Sequence, residues 1–262
     1  MTATVHRSVL EPSREPRAAD AARDSSEHRY RPAVIVMFGG YAVLTVVMLG
    51  IGLLLTHALD GSVGRWDEHV NTFFADHRTN GWNDLTGVAT AALNTLPVVV
   101  GAAVVAGLLA LRHRWAEAAY LILALIVEIT VFLSVTFVVA RPRPDVPRLN
   151  STPATSSFPS GHTAAATVLF VGIAVIVTCC TRAVLARYLS ALVAAVMVVA
   201  VGFSRVYRGL HHPTDVVVGA LFGLACLFVA ALAVRAVRPS SATSKADERD
   251  APAVGNALRR TA

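Results

Sequence analysis

Long apolar runs alternate with short polar segments along most of the chain, and this alternation predicts membrane-spanning helices. Five of these runs are long and nearly free of charge. An α-helix needs about 20 such residues to cross about 30 Å of hydrocarbon. A sixth run has only 15 residues, but the arginines on both sides extend its reach because their long stems snorkel toward the interface. The six predicted spans are 33–55, 85–111, 116–140, 163–181, 189–203 and 216–234.

The composition supports a membrane protein rather than a soluble domain. Of 262 residues, 55% are hydrophobic and only 15% are charged, whereas soluble domains average about 25% charged residues. The segments 1–32 and 238–262 are polar and have no apolar period, so we expect disordered cytoplasmic tails there. The predicted fold is all-α, a six-span transmembrane helical bundle at 33–237.

The distribution of positive charge predicts the orientation of this bundle. The chain has 23 basic residues, 22 of them arginine, and a net charge of +6. If six spans alternate, 16 of the 23 share one face with both termini, and the positive-inside rule makes that face cytoplasmic. Membrane topology therefore explains most of the charge, and we expect no nucleic-acid partner. The three cysteines lie in apolar surroundings and predict neither a disulfide framework nor a metal site.

Two loops on the predicted outer face collect polar residues that a membrane normally excludes. The first, 140–163, reads ARPRPDVPRLNSTPATSSFPSGHT, and the second, 203–215, reads FSRVYRGLHHPTD. Arginine-rich loops can be simple interfacial anchors. Here they also contain histidines and an aspartate, and phosphoryl transfer needs that combination of cations, a nucleophile and a proton donor. We therefore expect the active site at the outer face.

Local spacing indicates what individual residues do in these loops. Ser160 and Gly161 are typical of a helix start, whose free N–H groups bind an oxyanion, but a simple cap does not explain His162. His211 and Asp215 lie about one helical turn apart. A carboxylate bonded to one ring nitrogen of a histidine fixes its tautomer and strengthens the other nitrogen as a nucleophile.

Three motifs follow one another in this region: Arg143-Pro144, Pro159-Ser160-Gly161-His162 and Ser204-Arg205-x5-His211-x3-Asp215. Together they resemble the signature of the type 2 phosphatidic acid phosphatase family. That family comprises membrane-embedded lipid phosphate phosphatases that share a core with vanadium haloperoxidases. The motifs are separated by 14 and 41 residues, which lies within the usual range of the family.

The resemblance implies metal-independent and cofactor-free hydrolysis of a lipid phosphate in two steps. His211 would attack phosphorus to form a phosphohistidine, and Asp215 would orient His211. His162 would protonate the leaving oxygen and then activate water. The implied phosphate-binding residues are Arg143, Ser160, Gly161 and Arg205.

One position departs from the pattern of the family. The lysine that the family places seven residues before the arginine of the first motif is Thr136 here, which offers one neutral hydrogen bond in place of a charge. We expect Arg141, or else Arg208, to supply the missing cation. Two alternatives stay open: a lipid phosphotransferase that uses an alcohol acceptor, and a catalytically degenerate lipid-binding member.

The expected partners are the bilayer of the plasma membrane and a lipid phosphate. Polyprenyl diphosphate (for example undecaprenyl diphosphate), phosphatidic acid and phosphatidylglycerol phosphate all suit the implied chemistry. The spacing Gly219-x-x-x-Gly223 is compatible with a homo-oligomer, although such spacing more often serves internal packing. The aromatic segment 57–84 is interpreted either as an interfacial anchor or as a lid over the site.

Overall fold

The computed structural model describes residues 15–92, 94–151 and 155–237. In these ranges the chain forms α-helices and two π-helical turns, Leu54–Ala58 and Asp60–Gly64, and it forms no strand. The helices are α1 (Glu15–Leu53), α2 (Arg65–Asp76), α3 (Asn80–Ala92), α4 (Thr95–Leu111), α5 (Trp115–Val139), α6 (Gly161–Cys180), α7 (Val184–Tyr207) and α8 (Pro213–Val237).

The described helices account for all six predicted spans. The helices α1, α5, α6, α7 and α8 are each long and apolar enough to cross a membrane. The sixth span is the pair α3 and α4, which is bent by 49°. Pro97 lies in the first turn of α4, where a missing N–H leaves no intrahelical bond unmade, so a new helix begins there instead of continuing α3. The predicted all-α bundle is confirmed.

Two boundaries differ from the sequence prediction. The helix α7 has 24 residues, more than the apolar run 189–203, because it continues through polar turns at both ends. The helix α1 begins at Glu15, so the prediction of a disordered tail is wrong for residues 15–32. This stretch is rich in alanine and arginine, which have high helix propensity. Residues 1–14 and 238–262, the remainder of the predicted tails, lie outside the described residues.

The core lies between α5, α6 and α8. Phe158, Phe222 and Leu121 are among its largest fully buried side chains. Around this centre, α1 packs against α5 and α8, α4 packs against α5 and α6, and α3 packs against α7. This packing brings the first turns of α6 and α8 and the last turn of α7 to the same end of the bundle.

The glycines of the Gly219-x-x-x-Gly223 spacing face α6 of the same chain. A Cβ atom on Gly219 would lie 2.6 Å from the carbonyl oxygen of Ser160, and one on Gly223 would lie 2.7 Å from that of Ala164. Neither contact is sterically allowed, so both positions require glycine for the close approach of α8 to α6. The spacing serves internal packing and gives no support to a homo-oligomer.

We predict that Gly219→Ala destabilises the protein by about 1–3 kcal/mol, the usual cost of overpacking. Thermal unfolding in detergent measures the effect as a lower Tm. Gly39→Ala in α1 is the matched control, because an added Cβ there meets no described atom within 4 Å. An unchanged Tm for Gly219→Ala would contradict the close packing of α8 on α6.

Candidate active site

The three sequence motifs meet at the end of the bundle where α6, α7 and α8 converge. The backbone N–H of Ser160 donates to the carbonyl oxygen of Asp215 at 3.1 Å, which joins the first turns of α6 and α8. The N–H of Leu149 donates to the carbonyl oxygen of Arg208 at 3.2 Å, which ties the 140–160 loop to the end of α7. The loop residues are thereby held against the three helix ends.

His211 lies in the connection between α7 and α8 and is only 4% exposed. Its Nδ1–H donates to the carbonyl oxygen of Ser157 at 2.6 Å. Burial and the charges of Arg205 and Arg143 hold the pKa of His211 well below its usual value, although the bond to Ser157 opposes this shift. His211 is therefore a neutral imidazole at pH 7, with the lone pair on Nε2 available to attack an electrophile.

Asp215 does not make the hydrogen bond to His211 that the sequence predicts. Its Oδ2 atom lies 3.9 Å from Nδ1 of His211, beyond hydrogen-bond distance. The carboxylate is already engaged, since Oδ1 accepts from Arg141 at 2.5 Å and Oδ2 accepts from the backbone N–H of His212 at 2.9 Å. The tautomer of His211 is thus fixed by Ser157 rather than by Asp215.

His162 lies in the first turn of α6, beside the break in the second span. Its Nε2 atom is 3.2 Å from Oδ1 of Asn94, the residue that immediately precedes α4. An amide oxygen only accepts hydrogen bonds, so Nε2 of His162 bears a proton. When the other ring nitrogen is also protonated, the proton on Nε2 can be passed to a leaving oxygen.

Arg205, which is buried, and Arg143, which is half-buried, bring positive charge to the same place. Arg143 donates from Nη1 to the carbonyl oxygen of Leu210 at 2.6 Å, directly beside His211. Arg205, in the last turn of α7, is 6% exposed. In the described ranges the buried Nε atom of each arginine has no hydrogen-bond acceptor. Two buried donors without acceptors, next to a neutral imidazole, form a site that an oxyanion would complete.

Arg141 does not take the role predicted for it as a substitute for the missing lysine. Its guanidinium group is almost fully buried and bridges two carboxylates, Asp215 at 2.5 Å and Asp67 at 2.8 Å. Arg208 is also engaged, because it donates to Asn150 and to the carbonyl oxygen of Asn83. The guanidinium groups of both arginines are therefore bonded to protein acceptors and do not point free donors at His211.

The first turn of α6 differs from the predicted cap. Ser160 occupies the N-cap position, but its hydroxyl pairs with Thr163 at 2.9 Å instead of bonding a backbone N–H. A Cβ on Gly161 would lie 2.8 Å from the ring of Phe132, so the glycine is needed for packing against α5. Thr136 is buried, and its hydroxyl has no hydrogen-bond partner in the described part of the chain.

Several residues that the sequence analysis missed contribute to the arrangement. Asn94 contacts His162, the carbonyl of Ser157 orients His211, and Asp67 of α2 pairs with Arg141. Asp67 lies 74 positions from Arg141, and the acceptor of His211 is a backbone carbonyl that any residue could provide. Neither contact can be recognised in a single sequence. Over residues 15–92, 94–151 and 155–237, no group of three or more His, Cys, Asp or Glu side chains is arranged to hold a metal ion.

Comparison with known proteins defines the class to which this arrangement belongs. Residues 115–239 match the PAP2 superfamily. This match covers all three motifs and confirms the resemblance to the type 2 phosphatidic acid phosphatases. Residues 115–239, which carry the three motifs, are therefore similar to the PAP2 superfamily, and the chain has the fold of a membrane PAP2-type phosphatase.

A solved structure shows the same fold. It is the crystal structure of a transmembrane PAP2-type phosphatidylglycerolphosphate phosphatase from Bacillus subtilis, with 26% sequence identity and a TM-score of 0.61. The match covers 71% of this chain and 94% of that one. Among curated protein sequences, none matches this chain.

Proposed function

We propose that this protein hydrolyses a phosphomonoester or diphosphate of a membrane lipid through a phosphohistidine intermediate on His211. The observation that supports this most strongly is the neutral, buried His211 beside Arg143 and Arg205, whose Nε donors lack acceptors in the described residues. The Bacillus subtilis protein is described as a phosphatidylglycerolphosphate phosphatase. That description makes phosphatidylglycerol phosphate the first substrate to test, ahead of phosphatidic acid and polyprenyl diphosphates.

The first step transfers the phosphoryl group to the protein. The lone pair on Nε2 of His211 attacks phosphorus, and the bond from phosphorus to the lipid oxygen breaks. His162, in its imidazolium form, donates its Nε2 proton to that oxygen and becomes neutral, so the lipid leaves as a neutral alcohol or, from a diphosphate, as a protonated monophosphate. Asn94 orients His162 until the substrate oxygen takes its place as the acceptor.

The second step releases phosphate and restores the site. Water attacks the phosphohistidine while His162 accepts its proton, and the bond from phosphorus to nitrogen breaks. Negative charge on the equatorial oxygens is stabilised in both steps by Arg143 and Arg205. The N–H of Gly161 assists from the first turn of α6, whose dipole favours an anion. Ser160 joins them if its hydroxyl turns away from Thr163.

We also propose that the site faces the outside of the plasma membrane and that both termini are cytoplasmic. The arginines at the opposite end of the bundle support this orientation. Arg112, Arg114 and Arg182 lie in the connections at that end, and Arg187 lies in the first turn of α7. Substrate would then be presented from the outer leaflet.

We expect purified protein in detergent to release phosphate from phosphatidylglycerol phosphate with a metal chelator present. His211→Ala should reduce release to background because no nucleophile remains. His77→Ala is the control, since His77 is exposed on the side of the molecule formed by α2. Release that required an added divalent metal would contradict the proposed mechanism, and so would full activity of His211→Ala.

The lowered pKa of His211 predicts an unusual pH dependence. Protonation removes the lone pair on Nε2, so on the acid side kcat/KM falls when the pH drops through the pKa of His211 in the folded protein. Because this pKa is below the ordinary value of about 6.5, the acid limb should lie below about pH 6.5. Measurement of kcat/KM from about pH 4 to 9 tests this expectation. An acid limb at or above the ordinary histidine value would refute it.

The native cysteines provide a test of orientation. Cys179 and Cys180 are exposed at the end of α6 that is opposite to Gly161, about 30 Å away along the helix axis. A membrane-impermeant maleimide should leave intact bacterial cells unlabelled and should label inverted vesicles. The double variant Cys179→Ser/Cys180→Ser should lose that labelling, because Cys226 is buried. Labelling of intact cells would place the site on the cytoplasmic side.

A further inference from the structure

The helix α2 has an exposed aromatic side and a buried polar side. Trp66 and Phe73 are exposed, whereas Asp67 and Asn71 are buried. A carboxylate with no exposed surface is costly unless it is paired and hydrogen-bonded. The buried side of α2 must therefore be explained by what it contacts.

Asp67 contacts two residues of the active-site region. Its Oδ2 atom accepts from Nη2 of Arg141 at 2.8 Å and from the hydroxyl of Thr214. Its Oδ1 atom accepts from the backbone N–H of Thr214 at 3.0 Å. This N–H belongs to the first turn of α8, so Asp67 caps the helix that begins directly after His211 and His212.

Arg141 extends this contact to the nucleophile by two routes. Its side chain donates to Asp215, which in turn accepts from the N–H of His212. Its backbone carbonyl accepts from the N–H of Ser157 at 2.9 Å. The carbonyl of that same Ser157 receives Nδ1–H of His211. A shift of Arg141 would therefore move both the acceptor of His211 and the residue that follows it.

Asn71 adds a second connection one turn further along α2. Its Nδ2 atom lies 2.9 Å from the carbonyl oxygen of Asp67 and 3.4 Å from Nδ1 of His212. His212 then reaches the carbonyl oxygen of Pro142 through Nε2 at 3.3 Å. His212 is therefore buried between α2 and the 140–160 loop, and α2 is fixed to the site rather than free to act as a lid.

We propose that Asp67 is a positioning residue for His211 and that it acts through Arg141. This inference rests on the proposed function, since it assumes that His211 is the nucleophile. Asp67 touches neither His211 nor the two arginines assigned to phosphate. It holds the guanidinium group of Arg141, which fixes Ser157 and Asp215 around the imidazole.

The charges around His211 make this role distinguishable from simple anchoring of α2. The groups that act on His211 are Arg143 from the 140–160 loop, Arg205 from α7, His162 from α6, and Asp215 from α8 with its partner Arg141. Loss of the charge on Asp67 leaves Arg141 balanced by one carboxylate instead of two. More positive charge then faces His211 and lowers its pKa further. A merely loosened α2 would admit water and raise that pKa toward its ordinary value.

The test is Asp67→Asn, which preserves size and removes charge. The variant is assayed with phosphatidylglycerol phosphate at a temperature well below the Tm of the variant protein. We expect kcat to fall up to about 10²-fold, as for a misplaced catalytic group, with KM changed less than kcat because Arg143 and Arg205 are untouched. The acid limb of kcat/KM should move to lower pH. Asp67→Glu, which keeps the charge, should recover part of kcat and the original acid limb.

Two further variants complete the experiment. Asp76→Asn removes an exposed acid from the same helix and should retain wild-type kcat. In an Arg141→Gln background, Asp67→Asn should cause little additional loss, because the residue through which it acts is already missing.

The outcomes separate the two proposals. Inactive wild-type protein, or active His211→Ala, would overturn the proposed function itself. Active wild-type protein with unchanged kcat in Asp67→Asn would overturn only the positioning role. An acid limb of Asp67→Asn that moves to higher pH would also overturn the positioning role. So would a kcat of the double variant Asp67→Asn/Arg141→Gln that falls by the product of the two single losses. If Asp67→Asn fails to fold, Asp67→Glu decides: its kcat should fall below the wild-type value while its acid limb stays in place, and an unchanged kcat would overturn the positioning role.

Discussion

A single buried guanidinium group, that of Arg141, is shared by two buried carboxylates, and the loops of the site depend on this ionic contact. Each charge taken out of water costs several kcal/mol unless partners replace its hydration. Here the partners are complete: Asp215 also accepts from the N–H of His212, and Asp67 accepts from the N–H of Thr214. Both carboxylates lie at the first turn of α8, where the helix dipole favours negative charge. The ionic contact and the helix start therefore stabilise each other.

This contact separates the arginines of the site into two groups. Arg141 and Arg208 are bound to protein acceptors and hold the 140–160 loop in place. Arg143 and Arg205 retain Nε donors that find no acceptor in the described ranges. Unsatisfied buried donors are destabilising, and a phosphate group would satisfy them. Arg141 and Arg208 thus hold the loop that carries Arg143, so this arginine is in position before any substrate binds.

The sequence predicted the features that depend on local or regularly spaced residues. Uncharged apolar runs predict the spans because the bilayer disfavours charged side chains and backbone groups without hydrogen bonds. The PSGH and SR-x5-H-x3-D motifs locate His162 and His211. The rest depends on contacts between distant elements. Asp67 meets Arg141 across 74 positions, and the acceptor of His211 is a backbone carbonyl, for which any residue type would serve. The start of α1 at Glu15 was missed because polarity was taken to indicate disorder.

The near absence of lysine has a physical consequence in a site this deeply buried. Burial readily shifts the pKa of a lysine and can neutralise it, whereas a guanidinium group keeps its charge and presents several donors in one plane. Thr136 stands where the family places a lysine, and its buried hydroxyl has no partner in the described part of the chain. The proposed binding of phosphate oxygens therefore rests on Arg143 and Arg205, whose guanidinium groups would hold those oxygens by direction as well as by charge. A planar guanidinium group must be oriented toward the oxygens that it binds, whereas an ammonium group needs only to be close to them. Arg141, whose guanidinium group is bonded to Asp67 and Asp215, meets this requirement by fixing the loop that carries Arg143.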